Sequence, residues 1–234
     1  MTWIKELKAD FNLDAAQTAS LEKLLELLIA ETDRNLTAVT SPDKIVDIHF
    51  RDSLFLSLFP ETRASRKAVD VGSGAGFPGL PLAIALPDLS VSLIEARARK
   101  CEFIEKAIFA ADITNAAVFS MRAEAAGRTG MRESFNVAFS RAVGSLGEVL
   151  EYCLPLLGIG GSALLQRGSR RAGDEEEAIH ASEILGGKLG RIEQVSPYVG
   201  SKNLHIWVFR KTAATPESYP RRPGIARKRP LGKF

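Results

Sequence analysis

The chain has 234 residues, of which 45% are apolar, so it can bury a substantial core and fits one domain with terminal additions better than two equal domains. Its longest apolar run is far shorter than the roughly 20 residues of a membrane span, and charged side chains interrupt its N-terminus, so the sequence predicts no membrane helix, no secretory signal and a cytoplasmic location. The net charge of +3 hides an asymmetry, because the segment from Arg210 onward carries eight basic residues and one acid, or +7, and leaves the preceding residues at −4.

The N-terminal part of the chain has a helical pattern. Leucines recur at the spacing i, i+3, i+4 and i+7, which places one stripe on an amphipathic helix: Leu21, Leu24, Leu25 and Leu28. Asn35 to Val39 and Ser41-Pro42 indicate a loop and a helix start, and a second helical stretch is predicted from about Asp43 to Phe59, where Pro60 ends it. We therefore expect an N-terminal helical cap over residues 1–62.

From Ala68 onward, short apolar runs alternate with helical patterns. The predicted strands are Ala68–Val71, Val91–Ile94, Val118–Met121, Phe135–Phe139 and Ser162–Gln166, and the predicted helices are Leu80–Leu86, Arg97–Ala110 and Leu146–Leu157. This alternation predicts an α/β fold with a doubly wound, mostly parallel sheet over residues 63–212. Ile192–Val195 and His205–Lys211 have no long helix between them, so we expect them to pair as an antiparallel edge.

A glycine-rich loop, Gly72-Ser73-Gly74-Ala75-Gly76, follows the first strand of the predicted sheet. Open α/β sheets bind ligands at this edge, and glycine lets the backbone turn sharply and a ligand approach closely. Gly74, Gly76 and Gly79 also satisfy the GxGxxG dinucleotide fingerprint. Glu95, at the end of the second strand, can accept hydrogen bonds from the ribose of either kind of cofactor. Asp70 before the turn favours S-adenosylmethionine, but the loop alone leaves NAD open as well.

Cysteine and histidine usage predicts neither a metal site nor a disulfide framework. Cys101 and Cys153 lie in helical patterns without CxxC or Cys/His spacing and are predicted to be buried free thiols. His49, His180 and His205 are scattered and have no carboxylate at a telling spacing, so we expect no catalytic triad.

The C-terminal residues 213–234 are predicted to form a basic, RNA-binding tail that is integrated with the single domain. Its charges are interleaved with Pro and Gly, which should prevent helix formation and leave an extended strip able to follow phosphates. A solvated tail has the same composition, so charge alone does not decide. The residues expected to contact RNA are Arg221, Arg222, Arg227, Lys228 and Arg229.

Six ordered motifs run across nearly the whole chain. They are Asn35-Leu36-Thr37-Ala38-Val39, His49-Phe50-Arg51-Asp52-Ser53-Leu54, Asp70-Val71-Gly72-Ser73-Gly74-Ala75-Gly76-Phe77-Pro78-Gly79, Glu95-Ala96-Arg97-Ala98-Arg99-Lys100, Ser140-Arg141-Ala142 and Tyr219-Pro220-Arg221-Arg222-Pro223-Gly224. A lone glycine loop is weak evidence, but this series closely resembles the RsmG (GidB, glucose-inhibited division protein B) family of 16S ribosomal RNA guanine-N7 methyltransferases.

The resemblance implies a class I (Rossmann-like) methyltransferase fold. It also implies S-adenosylmethionine as cofactor, S-adenosylhomocysteine as product, and transfer to N7 of one guanine of 16S ribosomal RNA, position 527 in the usual numbering of that RNA. The partner would be 16S ribosomal RNA, the small ribosomal subunit or its assembly intermediate, and we expect the chain to act as a monomer.

The same resemblance implies a set of cofactor contacts. Gly72 and Phe77, with the loop glycines Gly74 and Gly76, would lie at the methionine and ribose end; Glu95, Ala96 and Arg97 would surround the adenosine ribose; Ala123 and Glu124 would lie beside the adenine; and Arg141 would face the active site. Without the resemblance, Phe77 could equally be a core residue, Glu124 a helix-start acid and Arg141 a surface ion-pair partner.

The proposed chemistry needs no dedicated catalytic base. Guanine N7 has a lone pair and no proton, and alignment of two bound reactants can contribute roughly 7 to 11 kcal/mol. The segment Ser140-Arg141-Ala142-Val143 lacks the Asp/Asn-Pro-Pro-aromatic motif typical of transfer to exocyclic amines, and both cysteines lie in predicted helices, which disfavours transfer to a pyrimidine carbon. Two other hypotheses remain: an NAD(P)-dependent oxidoreductase, and a non-catalytic ribosome-assembly factor that binds ribosomal RNA.

Overall fold

A seven-stranded sheet with helices on both faces forms the centre of the fold in this computed structural model, which describes residues 2–31, 39 and 41–233. The strand order is β3-β2-β1-β4-β5-β7-β6. The strands are β1 (Lys67–Val71), β2 (Ser90–Glu95), β3 (Ala116–Ser120), β4 (Phe135–Arg141), β5 (Leu157–Arg167), β6 (Gly187–Val195) and β7 (Leu204–Lys211). The first five strands pair in parallel, and β7 is antiparallel to both β5 and β6. The predicted doubly wound sheet and its antiparallel edge pair are confirmed, with β6 outermost.

The described helices cover both faces of this sheet. They are α1 (Thr2–Phe11), α2 (Ala15–Ala30), α3 (Pro42–Ile45), α4 (Asp52–Phe55), α5 (Pro60–Arg63), α6 (Gly79–Ala85), α7 (Ala98–Ala110), α8 (Ala123–Ala126), α9 (Leu146–Cys153), α10 (Asp174–Ile184) and α11 (Ile225–Lys228). A π-helical segment, Val46–Arg51, joins α3 to α4, so the predicted second helical stretch is confirmed as one run that ends just before Pro60.

The N-terminal helices pack on the sheet as a cap. The four leucines of the predicted stripe are all buried, and Asp14 begins α2 with a capping box to Gln17. The Nε2 of Gln17 also donates to the carbonyls of Ile84 and Ala85 at 3.1 Å. These carbonyls lie in the last turn of α6, where helix geometry provides no intrahelical donor. The cap is therefore tied to the helix that follows the glycine loop. Of the first sequence motif, residues 35–38 lie outside the described residues.

Two apolar layers flank the sheet. One layer joins the cap, α6 and α7 to one face, and the other joins α9 and α10 to the opposite face. The predicted burial of both cysteines is confirmed, and burial raises the pKa of the Cys153 thiol. Within the described part of the chain, no helix combines the length and apolar character needed to cross a membrane, and no group of His, Cys, Asp and Glu side chains is arranged to hold a metal ion.

The C-terminal segment differs from its prediction. We expected an extended strip without helix, but Ile225–Lys228 forms the short helix α11 and the segment packs back against α9. The prediction of a helix-free strip was wrong because Gly224 takes a left-handed conformation with φ of 82° directly before the helix, so glycine here permits the turn that starts α11. Ala226, on this helix, is fully buried.

Candidate functional site

The glycine loop turns at the carboxyl end of β1. Gly72, Gly74 and Gly76 have φ values of 76°, 61° and 90°, the left-handed region that side chains rarely adopt. The amides of Gly72 and Ser73 donate to the carbonyl of Ile94 at 2.9 and 3.2 Å, which fastens the loop to the end of β2. A Cβ atom on Gly74 would meet nothing closer than the Lys100 Nζ at 3.7 Å, so the backbone there is open to a ligand.

Glu95 organises the loop from the end of β2. Its Oε2 accepts a hydrogen bond from the Gly74 amide at 3.0 Å, and its Oε1 accepts one from the Arg97 amide at 2.8 Å. A carboxylate oxygen has two acceptor positions, so Glu95 retains capacity for ribose hydroxyls while it holds the turn. Its backbone carbonyl accepts from Met121 at 3.0 Å, which brings the segment before α8 to the same edge. Ala96 and Arg97 are exposed beside it.

Asp70 supports the loop from below. Its side chain is fully buried, and its Oδ2 accepts a hydrogen bond from the Gly79 amide at 2.9 Å. A Cβ atom on Gly79 would lie 2.8 Å from that oxygen, so only glycine allows this approach. Burial raises the pKa of Asp70 to about 7. Asp70 therefore fixes the loop and the start of α6 and does not reach the surface.

Ala123 and Glu124 begin α8 at the end of β3. Glu124 is 3% exposed, and its Oε1 accepts a hydrogen bond from the Gly224 amide at 2.9 Å. This contact places the C-terminal segment directly behind the residues predicted to lie beside the adenine. Glu124 is therefore more than the helix-start acid that local sequence suggests, since it also holds a segment about one hundred residues away in the chain.

Arg141, the last residue of β4, joins the sheet to the cap. Its Nη1 donates to the carbonyl of Ile48 at 2.7 Å and to Asp52 Oδ2 at 3.0 Å, and its Nη2 lies 3.2 Å from His49 Nδ1. Its guanidinium also lies 5.7 Å from the centre of the Phe77 ring, within cation–π range. Arg141 is therefore an ion-pair partner, but inside a cleft and not on the open surface.

Phe77 and His49 stack below this arginine. Their ring centres are 5.0 Å apart, and Phe77 is 5% exposed, so it belongs to the core as well as to the loop. Burial, and then the charge of Arg141, lower the pKa of His49 to about 4. The imidazole is thus neutral near pH 7, which suits Nδ1 to accept from Arg141. Burial raises the pKa of Asp52, and the neighbouring Arg141 opposes that shift.

A cleft of about 850 Å³ opens beside Arg141 at the carboxyl ends of β4 and β5. The cap forms one wall, the connection between β6 and β7 forms another, and basic residues after β5 line the mouth. Sequence reasoning missed this cleft, although its position beyond parallel strand ends is a general signal for ligand sites. The missed residues are Asp52, Gln166, Arg167 and Tyr198.

The predicted RNA-binding residues do not share one environment. Arg222, Arg227, Lys228 and Arg229 are exposed, whereas Arg221 donates through its amide, Nε and Nη2 to Glu151 at 2.5–3.0 Å. Glu151 is fully buried. The guanidinium of Arg221 is therefore already paired inside the protein.

The chain is similar over most of its length to proteins of one family. The family model GidB, described as rRNA small subunit methyltransferase G, matches residues 17–201. The chain is 38% identical over 232 residues to the ribosomal RNA small subunit methyltransferase G of Carboxydothermus hydrogenoformans, covering 97% of this chain and 98% of the relative. The protein of the same name from Syntrophomonas wolfei is 41% identical over 207 residues, covering 88% and 96%.

Solved structures share the fold at low sequence identity. An O-methyltransferase family protein from Burkholderia thailandensis matches with a TM-score of 0.60 and 13% identity, covering 90% of this chain and 70% of that one. The O-methyltransferase from Bacillus cereus in complex with SAH matches with a TM-score of 0.57 and 18% identity, covering 81% and 91%. These neighbours confirm the class I, Rossmann-like methyltransferase fold. None of the comparisons supports the two other hypotheses, a nicotinamide oxidoreductase and a non-catalytic assembly factor.

Proposed function

The chain belongs to the GidB family of rRNA small subunit methyltransferases, and on that premise we propose that it transfers a methyl group from S-adenosylmethionine to N7 of one guanine in 16S ribosomal RNA. The observation that carries the proposal is the juxtaposition of two features at one edge of the sheet. A left-handed glycine loop is tied to Glu95, and an arginine-bearing cleft lies next to it.

The glycine loop fits S-adenosylmethionine by its own geometry. The space that a side chain at Gly74 would fill is open, as a nucleoside cofactor requires. Glu95 retains acceptor capacity toward ribose hydroxyls, and Ala123 and Glu124 stand at the adjacent strand end, where they would border the adenine. We propose that Gly72, Gly74, Gly76 and Phe77 complete this site, with Ala96 and Arg97 at its exposed rim.

This reaction requires the protein to align the two reactants and does not require it to transfer a proton. When bound, S-adenosylmethionine supplies a methyl carbon that the N7 lone pair attacks, while sulfur keeps the electron pair of the broken bond. Because N7 carries no proton, no side chain has to act as a base. Asp52 offsets the charge of Arg141, so Arg141 itself does not present an unpaired cation to a guanine that becomes positively charged on methylation. Arg141 positions the cap that walls the site.

The exposed cations of the C-terminal segment suit a supporting role. We propose that Arg222, Arg227, Lys228 and Arg229 contact RNA phosphates, which orients the RNA without choosing the base. Arg221 is not expected to contribute, since it is paired with Glu151. We further propose that the reaction takes place in the cytoplasm, as a 16S ribosomal RNA or small-subunit substrate would require, and that the chain acts as a monomer.

Transfer of radiolabelled methyl tests the proposal. The acceptors are 16S RNA and small subunits that lack the modification, followed by strand cleavage specific for 7-methylguanine. We expect label at a single guanine in at least one acceptor. Binding of S-adenosylmethionine without label in either acceptor would contradict the proposed reaction and would return the chain to the role of an assembly factor.

A further inference from the structure

The cleft beside Arg141 has the size and position of a nucleotide site. Its volume of about 850 Å³ lies within the range of sites for small molecules, roughly 300 to 1,000 Å³. It opens at the ends of β4 and β5, next to the loop proposed to hold the cofactor. Two buried polar atoms of its lining, Gln166 Oε1 and Trp207 Nε1, have no hydrogen-bond partner among the residues that the structure describes.

Gln166 lines this cleft and carries a buried hydrogen-bond acceptor. Its side chain is 6% exposed, and its Nε2 donates to the Asp52 carbonyl at 2.9 Å. That bond fixes which end of the amide is nitrogen, because only the NH₂ group can donate. The remaining Oε1 is unpaired. Buried acceptors in native proteins are nearly always paired, so a ligand N–H that reaches this oxygen through a local shift of the cleft wall would satisfy it.

Arg167 presents a cation one residue further along β5. Its Nη1 donates to the Val143 carbonyl at 2.7 Å. Among the described residues it forms no ion pair, although the carboxylates of Asp174 and Glu148 act on its charge from a greater distance. The residue is half-buried, and this burial lowers the pKa of Arg167. A partly buried guanidinium that no carboxylate contacts directly is a natural partner for an anion, and phosphate oxygens match its geometry.

An aromatic ring completes the cleft. Tyr198 lies in the connection between β6 and β7 and is half-buried in the lining. Next to it in the sequence, Val199 is fully exposed. Single-stranded RNA bases are commonly recognised by stacking on such rings and by hydrogen bonds at their edges.

We propose that this cleft is the acceptor site for a guanosine nucleotide of single-stranded RNA. Gln166 Oε1 accepts a hydrogen bond from the guanine 2-amino group, Arg167 holds an adjacent phosphate, and Tyr198 stacks on the base. The inference rests on the proposed function and deepens it, because it names the residues that recognise the acceptor. Among the standard purines only guanine carries an amine at C2, so Gln166 selects guanine over adenine.

Inosine provides the sharpest test, because it lacks only the 2-amino group of guanosine. The substrate is RNA with the target guanosine replaced by inosine, and the measurement is kcat/KM for methyl transfer. For the unmodified protein we expect inosine to lower kcat/KM roughly 10- to 100-fold, the effect of leaving a buried acceptor unpaired. Equal rates on the two substrates would overturn the role of Gln166 without any variant.

Gln166→Leu completes a double-substitution cycle. We expect it to lower kcat/KM on guanosine about as much as inosine does, and to show little further loss on inosine, because both changes remove the same hydrogen bond. If the Gln166→Leu and inosine changes instead lowered kcat/KM by two factors that multiply when combined, Gln166 would act only on the structure of the site.

Arg167→Ala tests the phosphate contact, with Arg66→Ala as a matched control. Arg66 is an exposed arginine just before β1, at the amino ends of the parallel strands, whereas the cleft opens at their carboxyl ends. We expect Arg167→Ala to reduce the slope of log RNA affinity against log salt by about 0.7 to 1 unit, and Arg66→Ala to leave it unchanged. Equal slopes for both variants would remove Arg167 from the site. Failure of the unmodified protein to methylate any RNA would instead contradict the proposed function itself.

Discussion

Two arginine–carboxylate pairs in this molecule have similar chemistry and opposite surroundings. The first joins Arg141 to Asp52 at 3.0 Å, with 16% and 13% of the side chains exposed, and it lines an open cleft. The second joins Arg221 to Glu151 at 2.5 Å, with 24% and 0% of the side chains exposed. It attaches the C-terminal segment to α9, which carries Glu151. Both arginines were expected to contact ligands on sequence grounds.

The difference between the pairs lies in what remains unsatisfied around them. Both oxygens of Glu151 accept from Arg221, so the buried charge is fully used inside the protein. Around Arg141, by contrast, the cleft retains an oxygen of Gln166 with no hydrogen-bond partner among the described residues and the guanidinium of Arg167, which forms no ion pair with any of them. A pair whose hydrogen-bonding groups all have partners within the protein stabilises the fold. A pair next to polar groups that lack such partners can help to recognise a ligand.

Substitution of Arg221 should have the largest effect on stability. Arg221→Ala leaves Glu151 buried without a counterion, and breaking such a pair costs about 3 to 5 kcal/mol. We expect this loss in the free energy of unfolding measured by urea denaturation. The matched control is Arg222→Ala, an exposed neighbour, which should change stability by no more than about 0.5 kcal/mol. Equal effects of the two substitutions would mean that the Glu151 pair does not hold the fold.

The cleft region should respond to pH through His49. The pKa of its folded form is about 4, below the ordinary 6.5, so the unfolded chain binds more protons between these values. Stability should therefore fall as the pH decreases from about 6.5 to about 4. The contribution of His49 over that window is about 3 kcal/mol.

His49→Asn isolates this titration, because asparagine keeps an acceptor for Arg141 and does not titrate. The free energy of unfolding of the unmodified protein, taken relative to His49→Asn, should fall across the window. Asp52 and Asp70 have raised pKa values and the opposite pH dependence, but both are present in the two proteins and cancel in the difference. A difference that does not change with pH would contradict a buried neutral imidazole.

Substitution of Arg141 should separate function from stability. Lysine keeps the charge, but it cannot reproduce the planar set of bonds to Ile48, Asp52 and His49. We expect Arg141→Lys to lower kcat/KM for RNA methylation about 10- to 100-fold, while the urea midpoint changes less than in Arg221→Ala. If Arg141→Lys proved the more damaging of the two to stability, the contrast between the pairs would be reversed.

The exposed cations of the C-terminal segment should give the smallest effects. Each of Arg222→Ala, Arg227→Ala and Arg229→Ala removes at most one phosphate contact, which lowers the salt slope of RNA affinity by about 0.7 to 1 unit. Arg221 is excluded from this set, since its charge is internal. If the variant with all three substitutions had unchanged RNA affinity and an unchanged salt slope, the segment would have no role in RNA binding.

Local patterns predicted the fold well, because its signals are contained in short windows. The leucine stripe, the strand alternation and the glycine loop each depend on neighbours in sequence. The site depends on longer separations: Gln166 meets Asp52 across 114 residues, and Arg221 meets Glu151 across 70. No spacing rule connects such positions.

Charge in the C-terminal segment was predicted from composition, which counts basic residues without regard to pairing. Arg221 and Arg222 are identical by that measure, yet one is paired with a buried carboxylate and the other is exposed. The buried acid Glu151 is itself unremarkable in sequence, since it lies within an amphipathic helix. Only the folded chain distinguishes the two arginines.

A crystal structure with S-adenosylhomocysteine and an RNA fragment that contains the target guanosine would test the central claim most directly. We predict that the guanine lies in the cleft between Arg141 and Tyr198, with its 2-amino group within hydrogen-bond distance of Gln166 Oε1 and a phosphate against Arg167. A guanine bound against the C-terminal segment, with the cleft free of RNA, would contradict the account.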